Sequence, residues 1–266
     1  MFGARGITRD NGALRSVLGS NPARSFRPLD FLLLARLVFD DEDDFDFQDP
    51  LGGHEMTARE RAENFLLKAV FLQSAVAFIA VGLGALLGVA PWISSSWQSG
   101  SPMQVLWAIG IGTLATLPLL VSFLAMRHGS FESMEELQEL MDRHIVPLFR
   151  EATILELGFL SLLIGMGEEA LFRGVVQTFL QNLTGANAGP AVPIIIASLL
   201  FGLLHALTKE YFVISALMGA YLGFWFWWTN DIIVPIVMHT LYDWFVFVYM
   251  KRYSPVLEET AEENQG

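Results

Sequence analysis

Apolar residues in this chain gather into long runs without charge, instead of alternating with polar ones over short elements. From Leu66 to Met250 such runs recur at about 20 residues, the length at which a helix rising 1.5 Å per residue crosses a hydrocarbon core of roughly 30 Å. Six spans are predicted: Leu66–Ala90, Met103–Met126, Ala152–Leu183, Pro190–Leu207, Tyr211–Trp228 and Asp231–Met250. Residues 1–65 read as a polar leader, with a short amphipathic helix near Leu29–Phe39 and an acidic linker behind it. Between the second and third spans, Met134, Leu137, Leu140 and Met141 repeat at helical spacing beside charged neighbours, so residues 127–150 are expected to form an amphipathic surface helix. The expected fold class is therefore all-α, a polytopic membrane helix bundle of about six transmembrane helices plus that surface helix.

The third span is long: its 32 residues would extend roughly 48 Å as a straight helix. A break at Gly165 or Gly167 would reverse every later loop and carry Lys209 or the Lys251–Arg252 pair to the wrong side, so one long, tilted or kinked helix is expected. Lys and Arg set the sidedness, because translocated short loops lose them. Eight of the 16 lie in the leader and Lys68 at the edge of the first span; Arg127, Arg143 and Arg150 lie in the second connection, Lys209 in the fourth, and Lys251 and Arg252 follow the last span. The connections Pro91–Pro102, Thr184–Gly189 and Thr229–Asn230 have none, so they are expected outside and both termini in the cytoplasm. Trp92, Trp97, Trp107, Trp225, Trp227 and Trp228 flank those loops, where amphipathic rings favour the interface.

Composition agrees with a membrane protein. The chain has 266 residues, 53% of them hydrophobic and 17% charged, with a mean hydropathy of +0.46, which argues against a water-soluble enzyme. There is no cysteine, so disulfides, a thiolate nucleophile and Cys-ligated metal are ruled out. The net charge of −12 is concentrated in Asp40–Asp49 and Glu258–Glu263, in solvated loops, and implies no nucleic-acid surface. Six Arg against two Asp in residues 1–36 read as a flexible basic leader, and no secretory signal is expected there. The chain divides into 1–65 (cytoplasmic leader with acidic linker), 66–126 (two N-terminal transmembrane helices), 127–150 (cytoplasmic connection), 151–250 (the part carrying the chemistry) and 251–266 (acidic tail).

A charge near the bilayer centre costs on the order of 2.5–3.5 kcal/mol on insertion scales, so intramembrane charges pair or serve a site. Here they fall in three places: Glu168, Glu169 and Arg173 on the third span, His205 with Phe201 on the fourth, His239 and Asp243 on the sixth. Glu169 and Arg173, at i,i+4 with the acid first, suit an ion pair. Glu168 is rotated about 100° away and is left for chemistry. Counting about 1.5 Å per residue puts Glu168, His205 and Asp243 roughly 8, 5 and 12 Å from the inner face, in one layer, with His239 about one turn deeper. Structural readings stand beside these: an ion-paired lock between helices, Phe201 packing on its own i+4 histidine, and Gly84-x-x-x-Gly88 and Gly219-x-x-x-Gly223 as helix-packing signals. His54, His128 and His144 read as solvated, and neither Glu156 nor Gln73 needs a catalytic explanation.

Taken together, Glu168-Glu169-x-x-x-Arg173, Phe201-x-x-x-His205 and His239-x-x-x-Asp243 resemble the motifs of the CPBP intramembrane proteases, the type II CAAX prenyl endopeptidases and bacteriocin-processing or Abi proteins. The resemblance covers about Glu151 to Met250 and makes 151–250 a CPBP-like protease core. It implies an intramembrane endopeptidase acting on a peptide or protein substrate on the cytoplasmic side of the lipid bilayer. Amide hydrolysis needs a deprotonated water near the scissile carbonyl and donors for the oxyanion. Glu168 is the expected base, His205 holds the water or shuttles the proton, and His239 donates to the oxyanion. Asp243 either accepts the other N–H of His239 and fixes its tautomer, or carries a proton of its own. Glu169, Arg173 and Phe201 are expected to support these groups structurally. No cofactor is required on this reading. The alternative is Zn2+ held by Glu168, His205 and His239 with water as fourth ligand, since the family has been read both ways. Two other classes stay open: a non-catalytic membrane scaffold or immunity factor, and a proton-coupled transporter, although the halves show no inverted repeat.

Overall fold

The computed structural model describes residues 57–253 apart from 93, 130–137, 139–140, 143–145 and 186–188. The expected helix at Leu29–Phe39, the acidic linker, His54, His144, most of the surface helix and nearly all of the acidic tail lie outside the described residues. Within them the long elements are α1 (Ala58–Leu87), α2 (Pro102–His128), α3 (Ile154–Glu169), a π-helical segment (Ala170–Gln177), α4 (Thr178–Thr184), α5 (Ala191–Leu204), α6 (Lys209–Thr229) and α7 (Ile233–Tyr253). The one β contact among the described residues is an isolated bridge between Ser94 and Asp231.

Helix starts follow local capping rather than the onset of the apolar runs. Before α1, the Thr57 hydroxyl accepts from Glu60 N at 3.2 Å while Glu60 accepts from Thr57 N at 2.7 Å. Thr153 and Glu156 repeat this reciprocal box before α3, at 3.2 and 2.6 Å. Helix α1 therefore begins eight residues before the predicted span at Leu66. It ends because Gly88 takes the left-handed conformation at φ +68°, so Gly88 is a helix stop and not part of a packing stripe as the Gly84-x-x-x-Gly88 spacing suggested. At Gly219 and Gly223 the packing expectation holds: added Cβ atoms would meet Ser198 of α5 at 3.2 Å and Gln177 at 2.7 Å.

Four helices, α1, α2, α6 and α7, are long and apolar enough to cross a membrane. Phe71, Leu86, Leu114 and Leu217 stand at least two-thirds exposed on them, as suits a surface that meets lipid tails. The third span is continuous through α3, the π segment and α4, without a break at Gly165 or Gly167. The fourth is shorter than predicted. At 14 residues α5 is about 21 Å long, and it ends at Leu204, leaving His205 just past the helix.

The two ends of the bundle differ in chemistry. At one end Asp231 accepts from Ser96 N at 2.8 Å and from Ile233 N at 3.0 Å, tying the loop before α2 to the start of α7. At the other, Arg59 donates to Glu156 at 2.7 Å and to the Glu151 carbonyl at 2.7 Å, Lys251 reaches the Arg150 carbonyl, and Tyr249 pairs with His128 at 2.8 Å. His128 is exposed there, as the solvated reading expects, and meets the Tyr249 hydroxyl from that position. Among the described residues, Arg59, Arg150 and Lys251 thus gather at the end that carries Glu151 and Glu156.

Where the chain turns back after α1, the carbonyl of Pro91 rests against the π segment, and a Cβ on Gly174 would lie 1.9 Å from that oxygen. Backbone stands on both sides, so no side-chain rotation relieves the clash. Gly174→Ala is expected to cost at least about 1–3 kcal/mol, the usual range for overpacking, read as a lowered unfolding temperature in detergent. A variant as stable as the parent would contradict this close approach.

Candidate active site

The polar residues of α3, α5 and α7 meet on one buried cluster. Position along α3 divides the two glutamates. Glu169 is fully buried, and its Oε1 accepts from Arg173 Nη1 at 2.8 Å and faces His239 Nδ1 at 2.8 Å. Glu168, one residue earlier, makes no contact with Arg173 and turns instead toward the rings: its Oε2 lies 3.7 Å from His205 Nε2 and 4.0 Å from His239 Nε2. That oxygen is buried and has no hydrogen-bond partner among the described residues. Its other oxygen, Oε1, accepts from the Gln73 amide at 3.2 Å.

The approach of α7 to α3 needs Gly165, whose absent side chain would occupy the place of the Thr240 hydroxyl, 2.5 Å from an ideal Cβ. His239 stands one position before Thr240 and is thereby brought against Glu169. His205 owes its orientation to the end of α5. Its own N–H bonds the Gly202 carbonyl at 3.0 Å in a tightened last turn, so the Phe201 carbonyl is released from the helix ladder. That carbonyl meets His205 Nδ1 at 2.8 Å, which leaves Nε2 toward Glu168. The Phe201 ring stacks on His205 at 4.5 Å between centroids, and Arg173 sits over its face at 4.8 Å. Tyr211 of α6 stands edge-on to His205 at 5.9 Å.

Asp243 Oδ2 lies 3.5 Å from His239 Nε2. The side chain that meets the other ring nitrogen, Nδ1, is Glu169, at 2.8 Å. Arg173 is fixed from a third side: its Nη2 donates to the Gly219 carbonyl at 2.8 Å, and one turn on Gln177 donates to the Gly223 carbonyl at 3.0 Å. Both small residues expose main-chain oxygen to the π segment. A π turn carries more residues than an α turn, and such segments recur at functional sites. Three residues of this constellation escaped the sequence reading. Tyr211, Gln177 and Gln73 are uncharged, and nothing in their spacing marks a partner.

The donor set tests poorly for a metal as it stands. Ligands about 2.0–2.1 Å from a tetrahedral zinc are about 3.4 Å apart, and Glu168 Oε2 is farther than that from each Nε2. Among the described residues no group of three His, Asp or Glu side chains converges closely enough to hold a metal ion.

Residues 150–245 match the family model of the Rce1-like type II CAAX prenyl endopeptidases, and all three motifs lie within that stretch. The uncharacterized protein YpbD of Bacillus subtilis (strain 168) is 32% identical over 120 residues, which are 44% of this chain and 57% of that protein. The chain thus spans a little over half the length of this curated relative. No solved structure matches it. The resemblance to the CPBP group therefore rests on a family match to residues 150–245, and that family is one of proteases; with its long apolar helices the chain is an integral membrane protein.

Proposed function

We propose that this protein is an intramembrane endopeptidase that hydrolyses a peptide bond of a membrane-associated, prenylated or leader-bearing protein substrate with water activated by Glu168. The observation that carries this reading is the Glu168 Oε2 atom, buried, without a hydrogen-bond partner among the described residues, and 3.7 and 4.0 Å from two imidazole Nε2 atoms. A gap of that width between polar atoms suits one bridging water. An ion-pair lock needs neither this oxygen nor a second histidine.

The chemistry follows from the contacts. Water donates to Glu168 Oε2, which takes its proton as the oxygen attacks the scissile carbonyl, and the carboxylic acid then passes that proton to the departing amine nitrogen. His205 Nε2 orients the water, its Nδ1 being held at the Phe201 carbonyl. His239 Nε2 stabilises the oxyanion. Since Nδ1–H is committed to Glu169, this donation requires a ring with both nitrogens protonated, and Glu169 and Asp243 supply the neighbouring negative charge. The end bearing Arg59, Arg127, Lys251 and Arg252 is proposed to face the cytoplasm, where short loops retain Lys and Arg.

The purified protein in detergent, offered fluorogenic prenylated and leader-type peptides, is expected to cleave at least one of these classes and to keep that activity after dialysis against a strong chelator. A folded protein that cleaves none of them would overturn the enzyme reading in favour of a membrane scaffold. A stoichiometric metal whose removal and return switch cleavage off and on would overturn the metal-free mechanism alone.

A further inference from the structure

We infer that Gln73, which lies on α1 and outside the segment resembling the proteases, is a positioning residue for Glu168, holding one carboxylate oxygen so that the other faces the two histidines. The inference rests on Glu168 being the base. In the apolar stretch of α1 from Ala69 to Leu87 the polar side chains are Gln73 and Ser74. Ser74 satisfies itself within the helix by donating to the Val70 carbonyl at 2.7 Å. The Gln73 amide has no such local acceptor and reaches across to α3, where Nε2 donates to Glu168 Oε1 at 3.2 Å.

The approach that makes this contact possible is built into α3. A Cβ on Gly167, the residue before Glu168, would lie 3.1 Å from the Gln73 carbonyl oxygen, 3.6 Å from Ala77 N and 3.7 Å from Gln73 Oε1. With no side chain there, α1 lies against the bare backbone of α3, and the amide can reach the next residue. Among the described residues Gln73 supplies the hydrogen bond that Glu168 accepts. The last torsion of a glutamate is a broad, roughly two-fold rotor, so a single donor on Oε1 decides where Oε2 points. Misplacing the reacting oxygen by about an ångström can cost on the order of 10²-fold in rate. The catalytic cluster is thus completed by a helix from the N-terminal half of the chain.

Polar residues also serve as plain interhelical glue, and the test must separate the two roles. Gln73→Met keeps the length and removes the donor, in a helix where an apolar side chain packs well. In the full chain it is expected to lower kcat by about 10-fold or more, the effect of losing a hydrogen bond to a charged group, with KM within about twofold of the parent and a loss of activity far larger than any fall in unfolding temperature accounts for. Gln73→Glu, of the same length but without an amide donor, is expected to fall at least as far. In a Glu168→Gln background, Gln73→Met is expected to add no further loss, because the two act through one group. If Gln73→Met is as active as the parent while Glu168→Gln is inactive, this inference falls and the base assignment stands. A loss that only follows the unfolding temperature, or that repeats in full in the Glu168→Gln background, overturns it as well. Parental activity in Glu168→Gln would remove the base assignment itself, and this inference with it.

Discussion

Glu168→Gln is expected to reduce peptide hydrolysis by at least ~10²-fold, the usual contribution of general acid–base catalysis, while the protein keeps its fold. The glutamine preserves size and can still accept from the Gln73 amide, so the contact between α1 and α3 survives the change. What it removes is the oxygen that takes the proton, the one facing His205 and His239 with no other partner. Unfolding temperature and expression should stay near the parent's, since no ion pair with Arg173 is broken. The measurement is kcat/KM in detergent beside a thermal unfolding curve of the same preparation. A well-folded Glu168→Gln variant as active as the parent would refute the assignment of the base. A large loss of stability with no separable catalytic defect would favour the scaffold.

Glu169→Gln is expected to act first on stability. Its carboxylate and Arg173 are both almost completely buried, and breaking a buried pair by removing one partner costs about 3–5 kcal/mol because the remaining charge is left uncompensated. The amide oxygen can still accept from Arg173 and His239, yet the charge that offsets the guanidinium is gone, and the new NH2 group would take the place of an oxygen with no hydrogen-bond partner. Yield and unfolding temperature should fall well below those of Glu168→Gln. Activity should fall too, because His239 loses the carboxylate that orders its ring. If the two variants exchange behaviour, Glu169 is the base and Glu168 the structural partner, which would contradict the orientation of α3 described above.

Much of this was legible along the chain. The alternation of apolar runs with basic or Trp-flanked connections corresponds to the observed helices and to two chemically distinct ends, because partition between lipid and water acts on each segment through its own composition. Glu169 and Arg173 could be paired from their spacing, since four residues is one helical turn whatever surrounds the helix. The same geometry turned Glu168 away from Arg173. Element ends were less legible. Capping at Thr57 and Thr153 extends or fixes helices independently of hydropathy, and the stop at Leu204 moved His205 from a helix interior to the residue just past its end.

The contacts that assemble the site belong to the tertiary structure. That His239 Nδ1 meets Glu169, 70 positions away, and that Gln73 reaches Glu168 across 95, depends on how α1, α3 and α7 are rotated about their axes and how closely Gly165 and Gly167 let them approach. Periodicity reports which face of a helix a residue occupies but not which neighbour that face meets. An uncharged amide in an apolar helix leaves no pattern that points to a partner. Hydropathy and helical spacing suffice for a membrane helix bundle and for the pair within one turn of α3; which carboxylate oxygen is held, which is left facing the histidines, and which residue does the holding follow from how the helices pack.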